Sequence, residues 1–206
     1  MKTDERLQFI RASCDENIRI KQHLQNSEEI TKLSCAADAV VEAYRKKRMV
    51  ILFGNGGSAK DAEHIAQDLM GRLHAQDTLR LPALALTTSS TTITALGNDY
   101  SFDMIFAHQI EVLGNEGDVA IAISTSGESQ NILNGLKAAR AKGMGTIGFT
   151  GATGGALKQL VEHCICIPSH RTPHIQEGHI FLGHLLCEIV KQTLKESALS
   201  YVHGLS

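Results

Sequence analysis

The stretch 49–73, MVILFGNGGSAKDAEHIAQDLMGRL, constrains the fold of this chain more than any other. Residues 49–53 form an apolar run without polar alternation that ends in glycines, which reads as a strand buried on both faces. Gly54-Asn55-Gly56-Gly57-Ser58 then makes a tight turn, with Ser58 placed to cap the next element. Residues 60–73 put Ala62, Ile65, Ala66, Leu69 and Leu73 at helical spacing. Strand, glycine turn and helix N-terminus together make an anion site, because bare backbone N–H groups meet the positive end of the helix dipole. His64 and Asp68 stand four residues apart on that helix and share a face. An anion cradle beside an imidazole–carboxylate pair points to a phosphorylated small molecule on which chemistry is done.

The pattern continues. Further apolar strands fall at 83–86, 119–123, 146–149 and 164–167, separated by helical stretches at 60–73, 91–113, 131–142 and 156–161. Strands buried on both faces and spaced by helices imply an α/β fold, a five-stranded parallel sheet between two helical layers. Ligands in such sheets sit outside the carboxyl ends of the strands, here at the loops 54–58, 87–92, 124–129, 150–155 and 168–174. Residues 175–197 close the domain as one long helix. Residues 1–48 read as two helices added in front of a domain spanning 49–206. Leu7, Ile10, Cys14 and Ile18 mark the first, which packs on its own domain or on a partner subunit. Asn26 and Glu29 resemble a capping box at the start of the second.

Composition excludes several classes. Twenty Lys and Arg against 22 Asp and Glu give no electrostatic reason to expect nucleic acid or an anionic membrane. No apolar run approaches the roughly 20 residues of a membrane span, and the charged N-terminus lacks a signal-peptide core, which implies a cytoplasmic protein. Five cysteines without a C-x-x-C pair read as buried reduced thiols; Cys164 and Cys166 alternate within an apolar run.

Ser124-Thr125-Ser126-Gly127-Glu128-Ser129 follows a strand and opens a helix, with hydroxyls at four of six positions. One hydroxyl suffices for a helix cap, so this density points to phosphate binding. Gly97 reads as a left-handed helix end, which makes Asn98 and Asp99 turn residues when taken alone. His179 and His184 lie five residues apart on different faces of the last helix, so only one faces a given site. Imidazole, carboxylate and amide groups gathered near a pocket suit either a divalent ion such as zinc or acid–base chemistry without metal.

GNGGSAKDAEHIAQDLMGR, ALGNDYSF, ISTSGES and HIQEGHIFLGH, in this order, resemble the sugar isomerase (SIS) domain family, more narrowly its phosphoheptose isomerases. The resemblance runs from about residue 1 to 194. It implies reversible conversion of sedoheptulose 7-phosphate to D-glycero-D-manno-heptose 7-phosphate, which begins heptose synthesis for lipopolysaccharide or surface glycans. It assigns substrate contacts to Asn55, Gly56, Gly57, Ser58, Asp68, Asn98, Asp99, Ser124, Thr125, Ser126, Ser129 and Gln176. It also implies a metal, zinc in several members, at His64, Asp68, Gln176 and His184, proton transfer by Asp68 and His184, and a homotetramer with sites at subunit contacts. The alternatives are a non-catalytic SIS protein binding the replication initiator DnaA, and an isomerase of another phosphosugar. Position 68 is typically Glu in the isomerases, so the carboxylate here is one methylene shorter.

Gln176 and His184 are eight residues apart, about 12 Å along one straight helix. They do not reach one ion from a single chain unless the helix begins after Gln176. A site completed by a second subunit is the preferred expectation.

Overall fold

The structure, a computed structural model, describes residues 1–75 and 77–203, with nothing said of the side chains over 198–203. Its centre is a five-stranded parallel sheet of β1 (Val50–Gly54), β2 (Ala83–Ala85), β3 (Val119–Ser124), β4 (Gly145–Thr150) and β5 (His163–Cys166), in the order β2-β1-β3-β4-β5. Each strand lies within a residue of its expected ends. Helices α1 (Thr3–Gln25) and α2 (Glu28–Arg45) precede the sheet, and α3 (Gly57–Met70), α4 (Ser90–Asp99), α5 (Ile105–Leu113) and α6 (Gln130–Ala141) connect the strands. The last helix is α7 (Thr172–His203).

Alternation along the strands divides the core into two layers. Val50 and Leu52 pack with Ile121, Ile123 and Phe149 beneath α2, α3 and α7, whereas Ile51 and Phe53 pack with Ala120 and Ala122 beneath α5 and α6. The three-layer α/β/α expectation therefore holds. Helix α2 buries Leu33, Ala36, Ala37, Val40 and Val41 in the first layer. In contrast, α1 buries only Ile20 and Leu24 and leaves Leu7, Phe9 and Ile10 about half exposed.

Several local expectations are corrected. Gly56, not Ser58, caps α3, and Ser58 lies buried in its first turn. Ser27, not Asn26, caps α2 by accepting the Glu29 N–H, while Glu29 reaches forward to Lys32 and accepts the backbone N–H of Cys166. Gly97 lies inside α4, which runs on through Asn98 and Asp99. The 156–161 helix is a single 3₁₀ turn, Ala156–Gln159. Cys14 and Cys35 are exposed rather than buried.

The serine-rich loop after β3 is braced by the loop after β4. Gly151 N–H donates to Thr125 O at 3.1 Å, Leu157 N–H to Gly127 O at 3.0 Å, and Ala156 N–H to Glu128 Oε1 at 2.9 Å. Gly127 has φ +69°, and a Cβ there would press into the carbonyl of Gly154. Gly127→Ala is thus expected to destabilise the domain by about 2–4 kcal/mol, a drop in Tm of several degrees. Thermal melting monitored by circular dichroism measures it.

Candidate active site

Strand order reverses direction at β1, so the crevice outside the carboxyl ends of β1 and β3 is the topological switch point where ligands bind in open parallel sheets. The glycine turn leaves β1 there and the serine-rich loop leaves β3. The two are tied by Asn55 and Asn131, whose side-chain amides bond reciprocally at 2.8 and 2.9 Å. Asn131 is 2% exposed and lies in the first turn of α6. Sequence reading missed it; its only signal was a polar residue at a core-facing position of that helix.

In the serine-rich loop, Ser124 Oγ accepts the Gly127 N–H and Ser126 Oγ the Glu128 N–H, both at 3.2 Å. Ser129 holds the cap position of α6, yet its side chain makes no capping bond. Thr125 and Ser126 help line a cavity of about 270 Å³ completed by Gly151, Ala152, Ser169 and His170. Local bonds fix the loop's shape while a hydroxyl-lined hollow opens beside a helix N-terminus. This arrangement suits a phosphate group.

Helix α3 runs along α7. Gly183 permits a close approach, because a Cβ there would meet the Ile65 side chain, and Cys187 Sγ contacts Ile65 O at 3.8 Å. This packing brings His184 against His64, with Nε2 atoms 3.3 Å apart and rings in an edge arrangement at 5.0 Å. Asp68 Oδ2 lies beneath both, 3.7 Å from His64 Nε2 and 3.5 Å from His184 Nε2. The carboxylate is 5% exposed, the imidazoles 49% and 40%. His179, the other histidine of the pair, instead faces the core and bonds Thr150 O at 3.1 Å, and burial lowers its pKa to about 4. Asp61, one turn before His64, also escaped the sequence reading. Burial raises its carboxyl pKa to about 6 against the opposing pull of His64.

The three donors fit a metal ion. Asp68 Oδ2 is buried without a hydrogen-bond partner. The two Nε2 atoms and this oxygen all lie within 4.8 Å of one another. Zinc–nitrogen bonds of about 2.0–2.1 Å set tetrahedral neighbours about 3.3–3.4 Å apart, close to the separations seen here.

Gln176 lies apart from this trio. Helix α7 already begins at Thr172, which removes the late-start option, and the half-buried Gln176 amide rests against Gly57 at the start of α3. It faces the glycine turn, and His184 stands about 12 Å further along α7. Asn98 and Asp99 are exposed at the end of α4 and bonded to each other at 2.9 Å; among the described residues neither bonds to the histidine–aspartate trio.

A doubly wound sheet carrying a serine-rich anion loop at its switch point defines an SIS-type domain, and the SIS domain family matches residues 14–151. Similarity extends further. A phosphoheptose isomerase of Roseiflexus sp. is 49% identical over 78% of this chain and 81% of its own length. One from Aneurinibacillus thermoaerophilus is 41% identical over 90% and 94%. The solved structure of a phosphoheptose isomerase from Francisella tularensis superposes with a TM-score of 0.87 at 35% identity, covering 93% of this chain and all of that one. The chain belongs to the phosphoheptose isomerases of the SIS domain family.

Proposed function

We propose that this protein interconverts sedoheptulose 7-phosphate and D-glycero-D-manno-heptose 7-phosphate, with the reacting end of the sugar at the His64–Asp68–His184 trio. The observation that carries this reading is the buried, unpartnered Asp68 oxygen facing two solvent-side imidazoles in a chain 41–49% identical to phosphoheptose isomerases. Asp68 takes the proton from the carbon beside the ketose carbonyl, and His184 returns one to the neighbouring carbon. The serine-rich loop (Ser124, Thr125, Ser126 and Ser129) grips the phosphate. Asn55, Gly56, Gly57, Ser58 and Gln176 hold the sugar between the two ends, and Asn98 and Asp99 contact its exposed edge. Holding the phosphate end in the hydroxyl-lined loop directs binding energy into positioning the carbons to be deprotonated.

His64, Asp68 and His184 would hold zinc in this reading, and Gln176 would join them only from a second copy of the chain. When bound, zinc polarises the carbonyl and stabilises the developing oxyanion. The protein works in the cytoplasm as a homotetramer whose sites lie at subunit contacts, and the exposed Leu7, Phe9 and Ile10 of α1 suit a place in such a contact. No helix among the described residues is long and apolar enough to cross a membrane. Retention of both histidines and the carboxylate argues against a non-catalytic DnaA-binding role.

Purified protein incubated with sedoheptulose 7-phosphate, with and without added zinc, tests the proposal. The aldose 7-phosphate is expected to appear, faster with zinc. An unchanged ketose in both incubations overturns the assignment.

A further inference from the structure

Helix α4 buries none of its ten residues, yet it carries Asn98 and Asp99 at its end. Ile93 and Leu96 touch the apolar core and are themselves only partly buried. Between α4, β2 and α5 lies a cavity of about 530 Å³, lined by Leu84, Leu86, Leu96, Gln109 and Val112 among others, so the inner face of the helix is thinly packed. Its sequence supplies little helix of its own. Thr91, Thr92, Ile93 and Thr94 are β-branched, Gly97 adds backbone freedom, and Asn98 and Asp99 favour turns. The Thr94 hydroxyl bonds back to Ser90 O and Thr91 O at 2.8 and 3.1 Å, a pattern that weakens helices slightly. Helices shorter than about 12–15 residues are marginal in water without a packed face.

Both flanks, in contrast, are pinned. Thr87 Oγ1 donates to Glu63 Oε1 of α3 and Thr88 Oγ1 to Ala85 O, each at 2.9 Å. Beyond the helix, Ser101 Oγ accepts the Asp103 N–H, and Asn134 Nδ2 of α6 donates to Asp103 O, each at 3.0 Å. Helix α5 then buries Ile105, Phe106 and Ile110. Residues 90–100 can open and reform between these fixed points while the sheet stays intact.

We propose that α4 is a lid that opens by local unfolding in the free protein and is ordered by the sugar phosphate, which Asn98 and Asp99 then hold. The inference rests on the sugar-binding reading above. Among the described residues, the two side chains bond only to each other, at 2.9 Å. A ligand that meets this pair only when α4 is folded shifts the equilibrium toward the helix. Its apparent affinity is reduced by the fraction of protein in which the helix is formed, so the helix stability of α4 enters KM directly.

Hydrogen–deuterium exchange of the full-length protein, read by mass spectrometry, tests the lid. In the free protein, amides of 91–100 are expected to exchange at least about a hundredfold faster than those of β3, and about tenfold slower than that once sedoheptulose 7-phosphate saturates the site. Inorganic phosphate is expected to slow exchange at 124–129 alone. Gly97→Ala adds a Cβ that meets only Ile105 Cγ2, at 3.9 Å, and Ala95→Gly removes one from an exposed position. The first is expected to lower KM about two- to fivefold and the second to raise it by as much, with kcat and phosphate affinity unchanged. Slow exchange of α4 in the free protein, sugar-phosphate protection at 124–129 without protection of α4, or wild-type KM in both variants would each overturn the lid. Protection by the sugar phosphate at neither place would instead remove the sugar-binding reading, and the lid with it.

Discussion

Asp68→Asn is expected to lower kcat for ketose–aldose isomerisation by about 10²–10⁴, the range supplied by a positioned proton-transfer group. The substitution keeps the volume of the side chain and removes its charge and its capacity to take a proton. Asp68 is buried, and its Oδ2 has no hydrogen bond to lose, so the folded state should be little disturbed. KM should move much less than kcat, because the phosphate loop and the glycine turn stay intact. His184→Ala should show the same pattern. Wild-type rates in either variant would remove that residue from the mechanism. The distances from Asp68 Oδ2 to the two imidazoles, 3.5 and 3.7 Å, exceed a hydrogen bond of about 2.7–2.9 Å. An ion held between the three donors would bridge these separations.

The second large effect concerns stability, at the far end of the α3–α7 seam. Lys191 is 2% exposed and is held by Gly71 O at 2.9 Å and Asp77 Oδ2 at 3.5 Å. Asp77 also accepts Lys195 Nζ at 2.6 Å and the backbone N–H groups of Leu73 and His74 at 3.1 and 3.3 Å. Asp77→Ala strands the buried ammonium, and the expected loss is about 3–5 kcal/mol, or about 10 °C in Tm. Asp77→Ala combined with Lys191→Met should recover much of it, since the uncompensated charge is then gone. A double variant no more stable than the single one would show that the cost lies elsewhere. The Lys195 hydrogen bond, then the two backbone N–H groups and the charge of Lys191, hold the Asp77 carboxyl well below the usual carboxylate range. Because the folded pKa is depressed, this contribution is complete above the unfolded value near about 4 and fades as pH falls below it. Urea titrations between neutral and acid pH should show wild type losing stability over this window and Asp77→Ala losing less.

The strands were legible because each centres on a short, mostly apolar run, a pattern that burial on both faces imposes. Helix ends were less legible. Ser58 and Asn26 are good caps by type, but which residue leaves the helix is decided by how the chain enters from β1 or from α1. Gly97 carries no left-handed backbone because α4 runs on to Asp99. Within the site, the His64–Asp68 pairing follows from helical spacing alone. The partnership with His184, 120 residues away, was accessible through family resemblance, since no local pattern encodes it. The Asn55–Asn131 clasp and the Asp77–Lys191 pair escaped for the same reason. Each joins residues far apart in sequence whose meeting depends on strand order and helix packing. The spacing of Gln176 and His184 did carry information, for it separated the amide at the glycine turn from the histidine at the trio.

The central claim is that the His64–Asp68–His184 trio moves a proton between adjacent carbons of a phosphoketose. It is tested most directly by following sedoheptulose 7-phosphate in deuterated water by NMR with wild type and Asp68→Asn at equal zinc. Wild type is expected to yield an aldose carrying solvent deuterium at the carbon next to its carbonyl, with Asp68→Asn at least about a hundredfold slower. Equal conversion and labelling by both proteins, or neither with wild type, would contradict it.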